Sequence, residues 1–193
     1  MAVIHTQLTD GTPVCIRRVR PDDEQRLKDG IALLTPQSRY FRFFSGMRQP
    51  PQRVIETLSH ADGHDHIAWG ALRSDRADTP ALGVVHAFRD AAEPTNAEYS
   101  VAVIDAYHGL GLARLLTAVL LFDCRRERLA RLTVHILAEN AAAKAFARSL
   151  GAAWTGQEMA VTEFEIDIDE AIRSLANETD LPGLKPVLDH FSH

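Results

Sequence analysis

The run His108–Gly109–Leu110–Gly111–Leu112–Ala113–Arg114 holds the residue types and spacing that most directly suggest chemistry. It lies between Glu98–Ile104, which reads as a strand, and Gly111–Glu127, where Leu115, Leu116, Val119, Leu120 and Cys124 recur at helical spacing. Gly109 and Gly111 allow backbone angles closed to other residues and let a ligand approach closely. The first-turn N–H groups of the helix have no intrahelical partners. With the helix dipole they attract an anion such as a pyrophosphate. Arg114 adds a cation. A Gly-x-Gly-x-Ala turn also suits an ordinary strand-to-helix connection. A dinucleotide-binding oxidoreductase is disfavoured: its third glycine falls at Arg114, and its loop usually follows the first strand.

Other residues have chemical types worth weighing. Asn140 precedes Ala141–Leu150 and is placed to cap that helix, with Gly151 to end it. His60, His64 and His66, flanked by Asp62 and Asp65, have spacings a zinc ion would accept. A polar loop explains them more simply, and no metal is expected. His86 and His135 read as strand histidines of the core or cleft, and Trp69 and Trp154 as core residues. Tyr40 and Phe41–Phe44 read as core packing of an aromatic helix, with the wall of an acceptor pocket as the alternative. The chain has no Gly-x-Ser-x-Gly elbow, His-Glu-x-x-His or Gly-Lys-Ser/Thr loop.

The elements that must position these residues are legible in outline. Val14–Val19 predicts a strand. Helices follow from Pro21 through Leu34, over Gln37–Phe44, and after Pro50–Pro51 through Leu58. Strands are predicted at His66–Leu72, Ala81–Phe88, Glu98–Ile104, Leu132–Leu137 and Val161–Ile168, and a short helix at Asp169–Ala176. Residues 177–193 hold Pro182, Gly183 and Pro186 and predict an irregular tail. Its Leu181, Leu184, Val187, Leu188 and Phe191 are too apolar to be fully solvated. This order is a mixed α/β (α+β) chain in one domain, residues 1–193, with an antiparallel middle rather than a doubly wound parallel sheet.

Composition narrows the function classes. The 193 residues are 46% hydrophobic and 24% charged, as in a globular domain with a sizeable core. The net charge of −5, with no basic block, argues against nucleic acid as a partner. No stretch approaches the ~18 apolar residues of a membrane span. The start, Met1–Thr6, has no charged region followed by an apolar run. Cys15 and Cys124 fit two buried thiols in a reducing compartment. The expectation is a cytoplasmic enzyme.

Beyond the loop, the sequence resembles the GNAT superfamily of N-acetyltransferases. That family's Gln/Arg-x-x-Gly-x-Gly/Ala loop is matched by His108, Gly111 and Ala113, with Gly109 as a common extra glycine. Its downstream Asn, Ala and Gly are matched by Asn140, Ala143 and Gly151. The resemblance covers about Glu98–Ala152. Ile16–Asp23 and Pro36–Phe44 are similar to the catalytic domain of bacterial protein-lysine acetyltransferases, which modify acyl-CoA synthetases and similar proteins. A stand-alone catalytic domain is expected.

The resemblance implies a mostly antiparallel sheet with a splayed strand pair, helices on both faces, and acetyl-CoA as co-substrate. The main chain of Val101, Ala102 and Val103 would hold the pantetheine arm, with the Val101 N–H polarising the acetyl carbonyl. His108, Gly109, Leu110, Gly111, Leu112, Ala113 and Arg114 would hold the pyrophosphate, and Asn140 would reach the cofactor. Glu98 would be the general base for a protein lysine or small-amine acceptor. A homodimer is common in the family. One position departs: Ala147 stands where many members have a Tyr that protonates the leaving thiolate. That departure keeps a non-catalytic acyl-CoA-binding sensor or partner module as an alternative.

Overall fold

The computed structural model describes residues 3–45, 47 and 49–192; Met1 and Ala2 of the N-terminal reading and His193 of the tail lie outside the described residues. The described residues form eight strands: β1 (Val3–Gln7), β2 (Pro13–Arg18), β3 (His66–Arg73), β4 (Gly83–Arg89), β5 (Asn96–Val103), β6 (Arg131–Leu137), β7 (Ala153–Glu158) and β8 (Val161–Asp167). They form one sheet in the order β1-β2-β3-β4-β5-β6-β8-β7. Every pairing is antiparallel except β5 with β6. The mixed, mostly antiparallel architecture is therefore the one expected.

Helices cover both faces. On one face lie α1 (Glu24–Ala32), α2 (Pro36–Phe43) and α3 (Gln52–Ser59). Leu27, Ile31, Ile55 and Leu58 from these helices meet Ala68 and Val84 of the sheet in a small apolar cluster. The larger core is on the other face, under α4 (Leu112–Arg126), α5 (Ala141–Ser149), α6 (Ile168–Ala176) and α7 (Leu184–Phe191). Leu115, Leu116, Val119 and Leu120 of α4 are wholly buried there. Each contributes about 2 kcal/mol of burial, so α4 is rigidly seated. Its N-terminus carries the glycine loop.

Several expectations are corrected. The tail over residues 177–193 is not irregular: Leu184–Phe191 is helical, and Leu184 and Val187 are buried. Gly183 is its N-cap, and Pro186 sits in the first turn, where a missing N–H breaks no helical bond. The hydroxyl of Thr6 on β1 donates to the Gly183 carbonyl at 2.7 Å and ties the tail to the sheet. β1 was not anticipated, because Ile4 is its one buried side chain and gives too little alternation. β7 was also missed, and with it the place of Trp154. That residue is 63% exposed on the sheet's last strand rather than in the core. Cys15 is half-buried rather than buried, and both thiols are free. No residue of α2 is buried, so its aromatics do not pack as a core helix.

Candidate acetyl-transfer site

The geometry begins in the hydrogen-bond parity of β5. The Ile104 N–H donates to the Leu82 carbonyl at 2.9 Å, in line with the β4–β5 register. In an antiparallel ladder alternate residues exchange main-chain bonds with the neighbour. Glu98, Ser100 and Ala102 therefore bond across to β4, while Ala97, Tyr99, Val101 and Val103 point their main-chain groups the other way. Ala97 and Tyr99 find β6 there, but that pairing ends at Tyr99–Val134 although β6 continues to Leu137. Val101 and Val103 thus direct N–H and C=O into a wedge between diverging strands. This is the splayed pair the resemblance implied. Ala102 departs from the expectation, since its main chain turns to Val84 of β4.

The wedge opens toward the glycine loop. Gly109 (φ 74°) and Gly111 (φ 85°) take left-handed backbone conformations, and Gly111 is the N-cap of α4. The His108 N–H bonds to the Asp105 carbonyl, and the Arg114 N–H to the Gly111 carbonyl. The N–H groups of Gly109, Leu110, Gly111, Leu112 and Ala113 have no acceptor among the described residues. Five donors at the positive end of a buried helix form a cradle for an oxyanion. The His108 side chain turns back, its Nε2–H donating to the Val103 carbonyl at 2.8 Å. It thereby latches the loop onto the strand.

Two predicted residues have other occupations. Arg114 donates to Glu178 at 3.0 Å and to the Ser149 hydroxyl at 2.7 Å, and lies over the Phe146 ring. Its charge is paired with the segment beyond α6 rather than left free at the loop. Asn140 caps α5, its Oδ1 accepting from the Ala143 N–H at 3.0 Å. This leaves the Nδ2 donors available. Ala147 is buried and brings no hydroxyl to the site.

Glu98 is exposed on the α1–α3 face, beside a cavity of about 330 Å³. Arg42 and Phe43 of α2 line it, with Val54 and Leu58 of α3 and Ser100 of β5. Phe43 thus walls a pocket, the alternative entertained for that aromatic segment. Asp105, just past β5, accepts from the Thr35 N–H (2.9 Å) and from the hydroxyls of Thr35 (2.9 Å) and Ser38 (2.7 Å). This clamp fixes the start of α2, and so the pocket wall, to the strand that enters the glycine loop. His135 on β6 stands between two carboxylates, 3.9 Å from Glu98 and 3.3 Å from Glu163. Its polar alternation with Val134 and Ile136 was visible in sequence, but the β5–β6 pairing that brings it to Glu98 was not. Arg42 was missed altogether.

Behind the cavity, His66 Nε2 and His86 Nδ1 are 2.9 Å apart, and their rings stack with Phe88. His86 Nε2 is buried without a partner among the described residues. Burial pulls His66 down to about 4 and holds His86 well below the ordinary 6.5, with Arg42 and His66 adding to the effect on His86. Both rings are neutral in the fold. In the unfolded chain they take up protons once the pH drops below about 6.5, so stability is full above that value and is lost as pH falls toward about 4. His66 alone costs about 2 kcal/mol between pH ~7 and ~5, and His86 adds to the loss in the same direction. Urea unfolding at the two pH values should show that loss in the native chain and a much smaller one in a His66→Phe/His86→Leu variant. Equal losses would remove the pair from the pH dependence.

The three loop histidines go separate ways. His60 Nδ1 lies 2.8 Å from the Glu56 carbonyl, and His64 Nδ1 lies 2.9 Å from Glu127, while His66 meets His86. Among the described residues no three His, Cys, Asp or Glu side chains gather as a metal site. No helix among them is long and apolar enough to cross a membrane.

Comparison with known proteins agrees with this geometry. The chain is 27% identical over 165 residues to the acetyltransferase Pat of Mycolicibacterium smegmatis, covering 86% of itself and 49% of that protein. It is 29% identical over 119 residues to an acetyltransferase of Pseudomonas aeruginosa, covering 62% of itself and 63% of that protein. It therefore spans about half to two thirds of the length of these curated relatives. The crystal structure of the GNAT domain of S. lividans PAT superposes with a TM-score of 0.76 at 24% identity, over 86% of this chain and 96% of that one. The profile of the acetyltransferase (GNAT) family matches residues 34–152, well over half the chain. With the splayed strands and glycine cradle inside that span, the chain belongs to the GNAT family of acetyltransferases, enzymes that bind acetyl-CoA.

Proposed function

We propose that this chain transfers an acetyl group from acetyl-CoA to a primary amine, a protein lysine or a small amine, by direct attack with Glu98 as general base. One observation carries the reading: the Glu98 cavity, the wedge at Val101 and the five-donor loop follow one another along β5 and its exit, beginning where β5 leaves β6. The free N–H groups from Gly109 to Ala113 suit a pyrophosphate, and the wedge suits an extended arm bonding like a missing strand. Acetyl-CoA, when bound, supplies an acetyl thioester. The Val101 N–H would polarise its carbonyl. Asn140 Nδ2 would reach the arm while Oδ1 keeps its cap.

An ammonium has no lone pair to attack with, so its proton must go first. Glu98 takes that proton, the N–C bond forms and the C–S bond breaks. No hydroxyl stands at Ala147 to protonate the sulfur, and a CoA thiolate leaves acceptably without one. The similarity to Pat favours a protein lysine, such as one on an acyl-CoA synthetase-like protein, as the acceptor.

Ala147 also favours a second reading, a sensor that binds acyl-CoA without turnover. Thermal unfolding and acetyl discharge separate the two. Acetyl-CoA at a hundredfold excess over Kd should stabilise the fold by about 2.7 kcal/mol, and NAD(P) should leave the melting temperature unchanged. Acetyl transfer to lysine-bearing proteins or simple amines should follow. Stabilisation with no amine acetylated would make the chain a sensor, and no shift with any CoA compound would end both readings.

A further inference from the structure

The cavity beside Glu98 carries more positive charge than acetyl transfer to an amine requires. Glu98 is the sole carboxylate among its lining residues, whereas two guanidinium groups face it, Arg42 from α2 and Arg53 from α3. Several packed arginines have carboxylate partners: Arg17 with Asp23 at 2.6 Å, Arg18 with Asp123 at 2.7 Å and Arg114 with Glu178 at 3.0 Å. Arg42 has no hydrogen-bond or ion-pair partner among the described residues, and its guanidinium lies 5.1 Å from the Phe43 ring. Protein surrounds it closely enough that desolvation draws it down to about 10, with Glu98 opposing that pull. It therefore remains a cation at neutral pH. An incoming ammonium would be repelled by both arginines. A guanidinium fork held in a cleft without a direct ion-pair partner matches a planar carboxylate in shape and charge.

We infer that Arg42, assisted by Arg53, binds a carboxylate carried beside the reacting amine. The preferred acceptor is then an acid-flanked primary amine, an inference that rests on the acetyl-transfer reading for the amine itself. The carboxylate neutralises the cleft and steers the amine to Glu98. The carboxylate has two possible sources, acidic residues next to a lysine or the amine's own molecule.

Equilibrium binding to the CoA-saturated full chain tests this without turnover. One arm compares the capped peptides Glu-Lys-Glu and Gln-Lys-Gln; the other compares 6-aminohexanoate with hexylamine. The acidic member should bind at least ~10-fold tighter in one arm or both, and the arm with the larger ratio identifies the source. Arg42→Gln should erase the preference, Arg42→Lys should keep part of it, and Arg53→Gln should reduce it. The melting shift with CoA confirms that each variant is folded. If Arg42→Gln does not fold, the Arg53→Gln and native comparisons decide. Equal affinities in both arms, or a preference that survives Arg42→Gln or, where that variant does not fold, is unchanged by Arg53→Gln, would overturn the assignment. A preference retained in a chain that acetylates nothing would instead overturn only the proposed activity.

Discussion

Glu98→Gln is expected to lower amine acetylation by about 10²- to 10⁴-fold at neutral pH, the range that removal of a general base commands. The substitution keeps the size and polarity of the side chain and removes its ability to take a proton. Glu98 is exposed and has only a 3.9 Å ionic contact with His135, so stability should change little. Acetyl-CoA should still raise the melting temperature, because the donors proposed for the cofactor lie on main chain elsewhere. The pH profile makes the test specific. A lysine amine titrates near 10.4, so at pH 7 about one molecule in 2,500 is neutral and able to attack unaided. The variant's rate should climb with pH toward that value and approach the native rate there. A deficit that stays constant across the range would mean that Glu98 positions substrate rather than taking a proton. An unchanged rate at pH 7 would move the base elsewhere, and His135 would be the next residue to replace.

How much of this was legible in the residues depended on the range of the interactions involved. The glycine loop, the Asn140 cap and the helices beside them are local, and their signals lie within a few positions of the residues concerned. The α7 helix was legible too, since Leu184, Val187, Leu188 and Phe191 follow helical spacing. Pro186 obscured it, because a proline breaks a helix interior but not a first turn. The wedge at Val101 was available only through resemblance, as the parity of main-chain bonding depends on the register with β4. The same holds for the cavity. Arg42 and Glu98 are far apart in sequence and come together through the Asp105–Thr35 clamp, a contact that no periodicity encodes. Arg114 shows a contact of the same long-range kind. Its type and position suggested a free cation at the loop, but an acid beyond α6 claims it.

Gly111→Ala is the other substitution with a large expected effect, and Gly109→Ala is its control. Both glycines have positive φ, so alanine at either costs about 1–2 kcal/mol of backbone strain. A Cβ at Gly109 would meet open space, whereas a Cβ at Gly111 would lie 2.3 Å from Leu181 Cδ1. Leu181 is buried in the main core, so overpacking there adds about 1–3 kcal/mol. The total of about 2–5 kcal/mol corresponds to roughly 5–15 °C in melting temperature for a chain of this length. Gly109→Ala should lose only a few degrees. Relief of the clash should also displace the α4 N-cap, and with it the cradle of N–H donors, so acetyl-CoA affinity should fall at least ~10-fold in Gly111→Ala. A double-mutant cycle isolates the contact. Leu181→Ala alone leaves a cavity and costs about 2–5 kcal/mol, but it also makes room for the new methyl. The Gly111→Ala/Leu181→Ala pair should therefore be less destabilised than the sum of the singles by 1 kcal/mol or more, roughly. Strict additivity would show that the tail does not press on the loop. In that case the requirement for glycine at 111 would come from backbone conformation alone.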